Sequence, residues 1–326
     1  MNILLIGSSG ETGQSILNGL LKSRTPFNTT ALIRPTSAEK PEIRALGGRG
    51  VATIALELDA PHNELVEALS GKEIVICAID PFCVTEQMRL ADAAKDAGVK
   101  RFIPSAFAPV CPPQGIMALR EMKEEVINYV KKIYLPYTII DVGWWYQSSI
   151  PKLPSGKIDY AVTFGVTKIV EQGQHATSIT DLRDVGRYVA RIVADPRTLN
   201  KYVFAYNEVW TQEDIFQLLE ESSGERLPRN SSSKQEIEAT IAALRGPYDE
   251  GERSFSKVVG LVVSQYPLSV WLRGDNLPDR AEYLGYLSTK DLYPDFVFTP
   301  FKEYIREVIS GEAKAVYVNR GFNIKK

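Results

Sequence analysis

The sequence predicts an α/β protein, a Rossmann-type doubly wound parallel sheet followed by a smaller, mostly helical C-terminal part. Three observations predict it. Apolar, β-branched runs alternate with segments of helical spacing through the first half of the chain. Those runs are nearly continuous in Ile, Val, Leu and Ala, as in strands covered on both faces. The first of them, "MNILLI", leads straight into a glycine-rich turn, "GSSGETG", and then into the helix-spaced "QSILNGLLKS".

Taken in order, strands are expected at Asn2–Ile6, Thr29–Ile33, Val51–Ala55, Ile74–Ile79, Arg101–Pro104 and Tyr137–Val142. Helices are expected between them at Thr12–Lys22, Lys40–Leu46, Asn63–Leu69, Val84–Ala97 and Ile116–Lys132. After about Gly143 the pattern changes. "PKLPSGKIDY" reads as a turn-rich connector and "YAVTFGVTKIV" as a strand or hairpin. "TDLRDVGRYVARIVADP" reads as a capped helix, and "VFAYN" as a late strand able to rejoin the main sheet. "TQEDIFQLLEESSGERL" is an amphipathic helix with Thr211 as cap and a glycine stop. "SSSKQEIEATIAALRG", "FSKVVGLVVSQYPLSVWLRGD" and "FTPFKEYIREVIS" are further helices. The expected organisation is a nucleotide-binding domain over residues 1–150 and a substrate-binding part over 151–326, packed at the carboxyl ends of the strands, with about 176–210 returning to the main sheet.

Composition excludes several functions. A net charge of −2 and a pI near 5.9 leave no basic face for nucleic acid or an anionic membrane. No apolar stretch reaches the roughly 20 residues that span a bilayer, and no cleavable leader is expected, so the reading is a cytoplasmic protein. Three cysteines (Cys77, Cys83, Cys111) do not make a disulfide framework. With only His62 and His175, neither a metal site nor a histidine triad is expected.

Gly7, Gly10 and Gly13 form G-x-x-G-x-x-G between a strand and a helix. In this context the first allows the tight turn, the second lets the backbone approach a pyrophosphate, and the third brings helix and strand together. Ser9, Glu11 and Thr12 complete the expected phosphate cradle at the helix N-terminus. The alternative is a loop that only turns a strand into a helix. NAD sites usually place Asp or Glu about 20 residues past the loop. Here the end of the second strand carries Arg34, a guanidinium that suits a 2′-phosphate. Lys40 adds a second cation, and Asp59, after the third strand, suits the adenine edge. NADP(H) is therefore expected over NAD(H), the alternative being that Arg34 is a solvated strand-end residue.

The Tyr-x-x-x-Lys pair common among short-chain dehydrogenases is missing from the fifth helix: Tyr129 is followed four residues later by Ile133, and Tyr134 by Thr138. Lys123 stands within that helix beside Glu124 and Glu125. On its own it reads as a surface lysine.

Several stretches together give a more specific reading. They are "GSSGETG", Arg34, "GVKRFIPSAF" (98–107), Lys123 with "LPYT" (135–138), "DVGRYVARIVADPRTLNKYVF" (184–204) and "LYPDFVFT" (292–299). On these the chain resembles the NmrA-like, isoflavone reductase-like group of atypical short-chain dehydrogenases. That group includes the pinoresinol–lariciresinol and phenylcoumaran benzylic ether reductases, and the fungal-type members resemble this chain more than the plant enzymes do. The resemblance implies that NADPH delivers hydride to an electron-poor carbon of a phenolic or polyketide-type small molecule, at a C=C, quinone-methide or benzylic ether site. It also implies that Lys123 is the general acid/base. An ammonium beside a cationic cofactor ring and apolar walls is expected to have a depressed pKa. Ile79, Asp80, Ser105, Ala106 and Phe107 fall on the cofactor rim.

Two departures bear on the substrate. The group has Ser-Glu-Phe-Gly after the fifth strand, whereas this chain has Ser105-Ala106-Phe107-Ala108. After the sixth strand stand Gly143, Trp144, Trp145 and Tyr146, which serve equally as a pocket for a flat substrate or as packing. Phe82 belongs to the same rim, and His175 is a further candidate contact. Two other functions remain open: an NADP-binding redox sensor, and a non-redox isomerase or cyclase that keeps a bound nucleotide. A small molecule is the expected partner, with the chain a monomer or homodimer.

Overall fold

A computed structural model describes residues 1–163, 168–252 and 254–317. The chain forms two compact units. The first comprises Met1–Phe107, Glu121–Asp141 and Leu182–Ala205, and the second Ala108–Arg120, Val142–Asp181 and Tyr206–Lys326.

The first unit is built from β1 (Asn2–Ile6), α1 (Glu11–Leu21), β2 (Asn28–Ile33), α2 (Pro41–Gly48), β3 (Ala52–Ala55), α3 (His62–Leu69), β4 (Ile74–Cys77), α4 (Val84–Asp96), β5 (Arg101–Ile103), α5 (Ala118–Lys132, in this unit from Glu121) and β6 (Thr138–Val142). The strands are parallel in the order β3-β2-β1-β4-β5. β6 joins beside β5 through a parallel bridge between Phe102 and Tyr137. The order reverses between β1 and β4, so the crevice at the carboxyl ends of these two strands is the place where an open α/β sheet takes a ligand. Leu4, Val75 and Phe102 are fully buried in the sheet and pack with Leu65, Leu90 and Val126 from three of its helices. That two-sided burial explains the continuous apolar runs.

The second unit includes β7 (Trp144–Trp145), β8 (Ile169–Val170) and β9 (Ala176–Thr180). The chain then returns to the first unit as α6 (Leu182–Ala194) and β10 (Lys201–Ala205), which lies beside β6. It leaves again through β11 (Glu208–Thr211) and α7 (Gln212–Ser223). α7 starts on a reciprocal Thr211–Asp214 capping box and stops at Gly224, φ +75°. The expected long helix over "FSKVVGLVVSQYPLSVWLRGD" is instead an α-helix to Tyr266 followed by a π-helical turn over Pro267–Leu272, because Pro267 brings no N–H to continue the α ladder. Of the expected strand in "YAVTFGVTKIV", residues 164–167 lie outside the described residues, and only Ile169–Val170 is a strand. Among the described residues no helix is long and apolar enough to cross a membrane.

One close contact sets the back of the first unit. α1 and α6 cross where a β-carbon on Gly19 would stand 2.1 Å from the Gly186 carbonyl oxygen, and one on Gly186 1.8 Å from that of Ser15. Ser15 donates its hydroxyl to the Leu182 carbonyl and accepts the Gly186 N–H at 2.9 Å. Gly186→Ala is expected to destabilise the protein by about 3 kcal/mol, read as a lowered thermal midpoint. In the second unit Arg229 grips Glu213 at 3.0 Å and Glu220 at 2.8 Å, and the Leu227 N–H also donates to Glu220. These bonds bring the Glu220 carboxyl down to about 2. A depressed carboxyl stabilises the fold above its unfolded value of about 4.3 and loses that contribution as pH falls toward 2. Thermal midpoints should therefore fall between about pH 4.5 and 2 more steeply for the wild type than for Glu220→Gln.

Candidate functional site

The glycine loop occupies the crevice between β1 and β4. Gly7 has φ +86°, and a β-carbon there would stand 2.3 Å from the Ala78 carbonyl oxygen. A β-carbon on Gly13 would stand 1.9 Å from the Gly7 oxygen. Both positions therefore exclude every other residue. The Gly10 N–H donates to the Gly7 oxygen at 3.1 Å, and Gly10 caps α1 without any side-chain hydrogen bond. Glu11 and Thr12 follow in the first turn of the helix, and Gln14 holds the Ser9 carbonyl at 2.9 Å. Ser8 in the same loop is 4% exposed, and its hydroxyl finds no partner. A backbone cradle that side chains would fill, a helix start without a side-chain cap and an unpaired hydroxyl fit a phosphate group.

Two cations follow β2 in the chain. Arg34 is exposed at the end of β2, and Lys40 is exposed as the residue that caps α2. Burial, then Glu86 and Asp80, push the Cys83 thiol up, with the charge of Arg34 opposing them. Asp59 is exposed in the β3–α3 loop, where its carbonyl and that of Ala60 are held by Arg89 at 3.0 and 2.6 Å. After β4, Asp80 accepts the Phe82 N–H at 3.0 Å, which bends the segment carrying Ile79, Asp80 and Phe82.

Lys123 is buried rather than on the surface, with 8% of its area exposed. Its ammonium donates to the Ser105 oxygen at 2.6 Å and the Ala106 oxygen at 2.7 Å. This turn follows β5 directly. The Ser105 hydroxyl donates to the Ile79 oxygen at 2.7 Å, which ties the turns after β4 and β5 together. Phe107 takes φ +36° and donates its N–H to the Ile140 oxygen at 2.8 Å. Ala106 packs against Ile127 and Ile139, so the side chain that replaces the expected carboxylate lies in an apolar cluster.

The expected substrate residues divide. Tyr146 is fully buried in the core of the second unit against Phe301, with its hydroxyl shared between Glu208 at 2.9 Å and the Thr299 oxygen at 3.0 Å. Of the two readings open for Tyr146, its burial favours packing. Gly143 lets the chain pass close to β9, since a β-carbon would stand 2.7 Å from the Ser178 oxygen. Trp144 is half-buried against Tyr266, and Trp145 stacks on Tyr317 at 5.9 Å. His175 meets Glu171 at 2.9 Å in the turn before β9. Phe82 is 36% exposed, a large apolar side chain at the rim of the first unit. Cys77 is buried in β4 and Cys111 has its thiol pushed up to about 12 by burial, so neither is a nucleophile. Among the described residues no group of three or more His, Cys, Asp or Glu side chains is placed to hold a metal ion.

The model of the NmrA-like family matches residues 1–266. The chain belongs to the NmrA-like family. Over 95% of its length this NmrA-like protein is 41% identical to the asnovolin J 5′,6′-dehydrogenase of Aspergillus novofumigatus, covering 96% of that protein. It is 26% identical to a probable pinoresinol–lariciresinol reductase of Arabidopsis thaliana, over 93% of this chain and 96% of that one. In fold it matches the leucoanthocyanidin reductase–NADPH complex of Vitis vinifera, with a TM-score of 0.77, 21% identity and coverage of 95% of this chain and 100% of that one.

Three residues of this NmrA-like chain escaped the sequence reading: Ser8, Gln87 and Arg89. Ser8 sits one position from the expected Ser9, and only its burial marks it. Gln87 and Arg89 lie on α4 and act through backbone groups of distant loops, which no sequence spacing announces. Removing the Lys123 ammonium strands two buried carbonyls. Lys123→Ala should therefore cost about 2 kcal/mol of stability, and Lys123→Arg less, measured by urea unfolding.

Proposed function

We propose that this protein is an NADPH-dependent reductase of a small phenolic or polyketide-type molecule, acting at a C=C, quinone-methide or benzylic ether carbon. The observation that carries the proposal is the first unit's crevice, where a glycine-only cradle, the exposed Arg34 and the buried Lys123 turn are all built on one parallel sheet. Gly7, Gly10 and Gly13 would admit the pyrophosphate, with the open start of α1 supplying N–H donors. Arg34 and Lys40 would take the 2′-phosphate. NADPH, when bound there, supplies a hydride. Lys123 holds a proton on Nζ at the carboxyl end of β5, fixed by two carbonyls that limit how its charge is presented. That proton neutralises the negative charge that hydride addition leaves on the substrate.

The relative from A. novofumigatus is named as a dehydrogenase at positions 5′ and 6′. Reduction of a C=C bond is the same exchange in the opposite direction, which supports carbon–carbon unsaturation as the reacting group. A second reading, an NADP-binding sensor without turnover, is favoured by the tie between Lys123 and two backbone carbonyls, an arrangement that also suits a strut.

The test follows loss of NADPH absorbance with a panel of phenolic enones and quinone methides, for wild type, Lys123→Ala and Arg34→Ala. Wild-type turnover that falls at least about 100-fold in Lys123→Ala, with NADPH still bound, is the expected result. Arg34→Ala should raise the KM for NADPH about tenfold or more and leave that for NADH nearly unchanged. Tight NADPH binding with no turnover across the panel would favour the sensor.

A further inference from the structure

Gln87 lies in the first turns of α4 and is 3% exposed. Its side-chain oxygen accepts the Ser105 N–H at 2.9 Å. This bond has a local cause. β5 ends at Ile103 and the next residue is Pro104, which has no N–H, so Ser105 carries the first peptide donor beyond the strand. Ser105 is then fixed at three points: its N–H by Gln87, its hydroxyl on the Ile79 oxygen, and its carbonyl under the Lys123 ammonium. The Ala106 carbonyl, the second acceptor of Lys123, follows directly. With its N–H and side chain both held, Ser105 has little freedom left to turn its carbonyl.

We infer that Gln87 is the positioning residue for Lys123, aiming the two carbonyls that hold the ammonium. The inference rests on the reading of Lys123 as the proton-bearing group, but the link from Gln87 to Lys123 stands on geometry alone. An amide oxygen is what the position requires. Leucine of similar size leaves a buried N–H without an acceptor, whereas glutamate keeps an acceptor oxygen in place.

The experiment uses the full chain as wild type, Gln87→Leu and Gln87→Glu. Lysines are reductively methylated with formaldehyde and cyanoborohydride, and each site is read by peptide mass spectrometry. Lys123 should be methylated about tenfold faster in Gln87→Leu and within about threefold of wild type in Gln87→Glu. Lys72, bound to Thr30 at 2.9 Å, and Lys131, bound to Tyr202 at 2.8 Å, should be unchanged in both. In turnover, Gln87→Leu should lose about tenfold or more in kcat while its affinity for NADPH stays within about threefold, and Gln87→Glu should recover most of the loss. An unchanged Lys123 rate in Gln87→Leu, or a rise shared by all lysines, would overturn the inference. If the wild type turns over no substrate, the reductase reading fails by itself, and the methylation rates still decide whether Gln87 holds Lys123.

Discussion

The first unit depends on the closeness of the β1–α1 turn to the end of β4. Gly7 lies so near the Ala78 carbonyl, and Gly13 so near Gly7, that any side chain at either position would collide with backbone. This closeness brings the start of α1 down onto the crevice at the strand-order reversal and leaves its first N–H groups without a side-chain cap. The same helix is pressed from behind at Gly19 by Gly186 of α6. A helix located by backbone contacts at both ends has little freedom to drift, and its N-terminus becomes a fixed electrostatic feature of the sheet.

A second constraint meets the first across Ile79. The Ser105 hydroxyl joins the turn after β5 to the segment after β4, and Lys123 binds the same turn from α5. Phe107 pays for this geometry with a left-handed backbone, a cost of about 1–2 kcal/mol for a residue with a β-carbon. Charge-assisted hydrogen bonds of about 1.5–3 kcal/mol each are enough to offset it. Lys123 therefore has a structural role whatever chemistry it performs, and its loss must be judged with folding and nucleotide binding in hand.

Much of this was legible in the sequence, for physical reasons. Strands covered on both faces write themselves as unbroken apolar runs, so β1, β2, β4, β5 and β6 were placed to within two residues at either end. The edge strand β3, with Ala52, Thr53 and Ala55 exposed, was placed as closely from its neighbours' pattern. Glycines required by collision cannot be replaced, so the loop stood out from its spacing. The capping box and glycine stop of α7 were legible because both act within one turn of chain. Side-chain destinations were not. "REMKEE" reads as a charged surface, yet Lys123 turns inward to two carbonyls that lie 17 and 18 residues earlier. Trp144, Trp145 and Tyr146 look alike in sequence, and only their neighbours separate a core ring from two half-buried ones. The return of the chain was legible in part, because "VFAYN" reads as a late strand, and α6 and β10 belong to the first unit.

The central claim is that the crevice between β1 and β4 is a site for a 2′-phosphorylated dinucleotide. Calorimetric titration of the wild-type protein with NADPH and with NADH tests it most directly. The account predicts one NADPH per chain with a dissociation constant of about 10 μM or tighter, and NADH weaker by about tenfold or more. Heat changes that reveal no binding of either nucleotide, or equal affinity for the two, would contradict it.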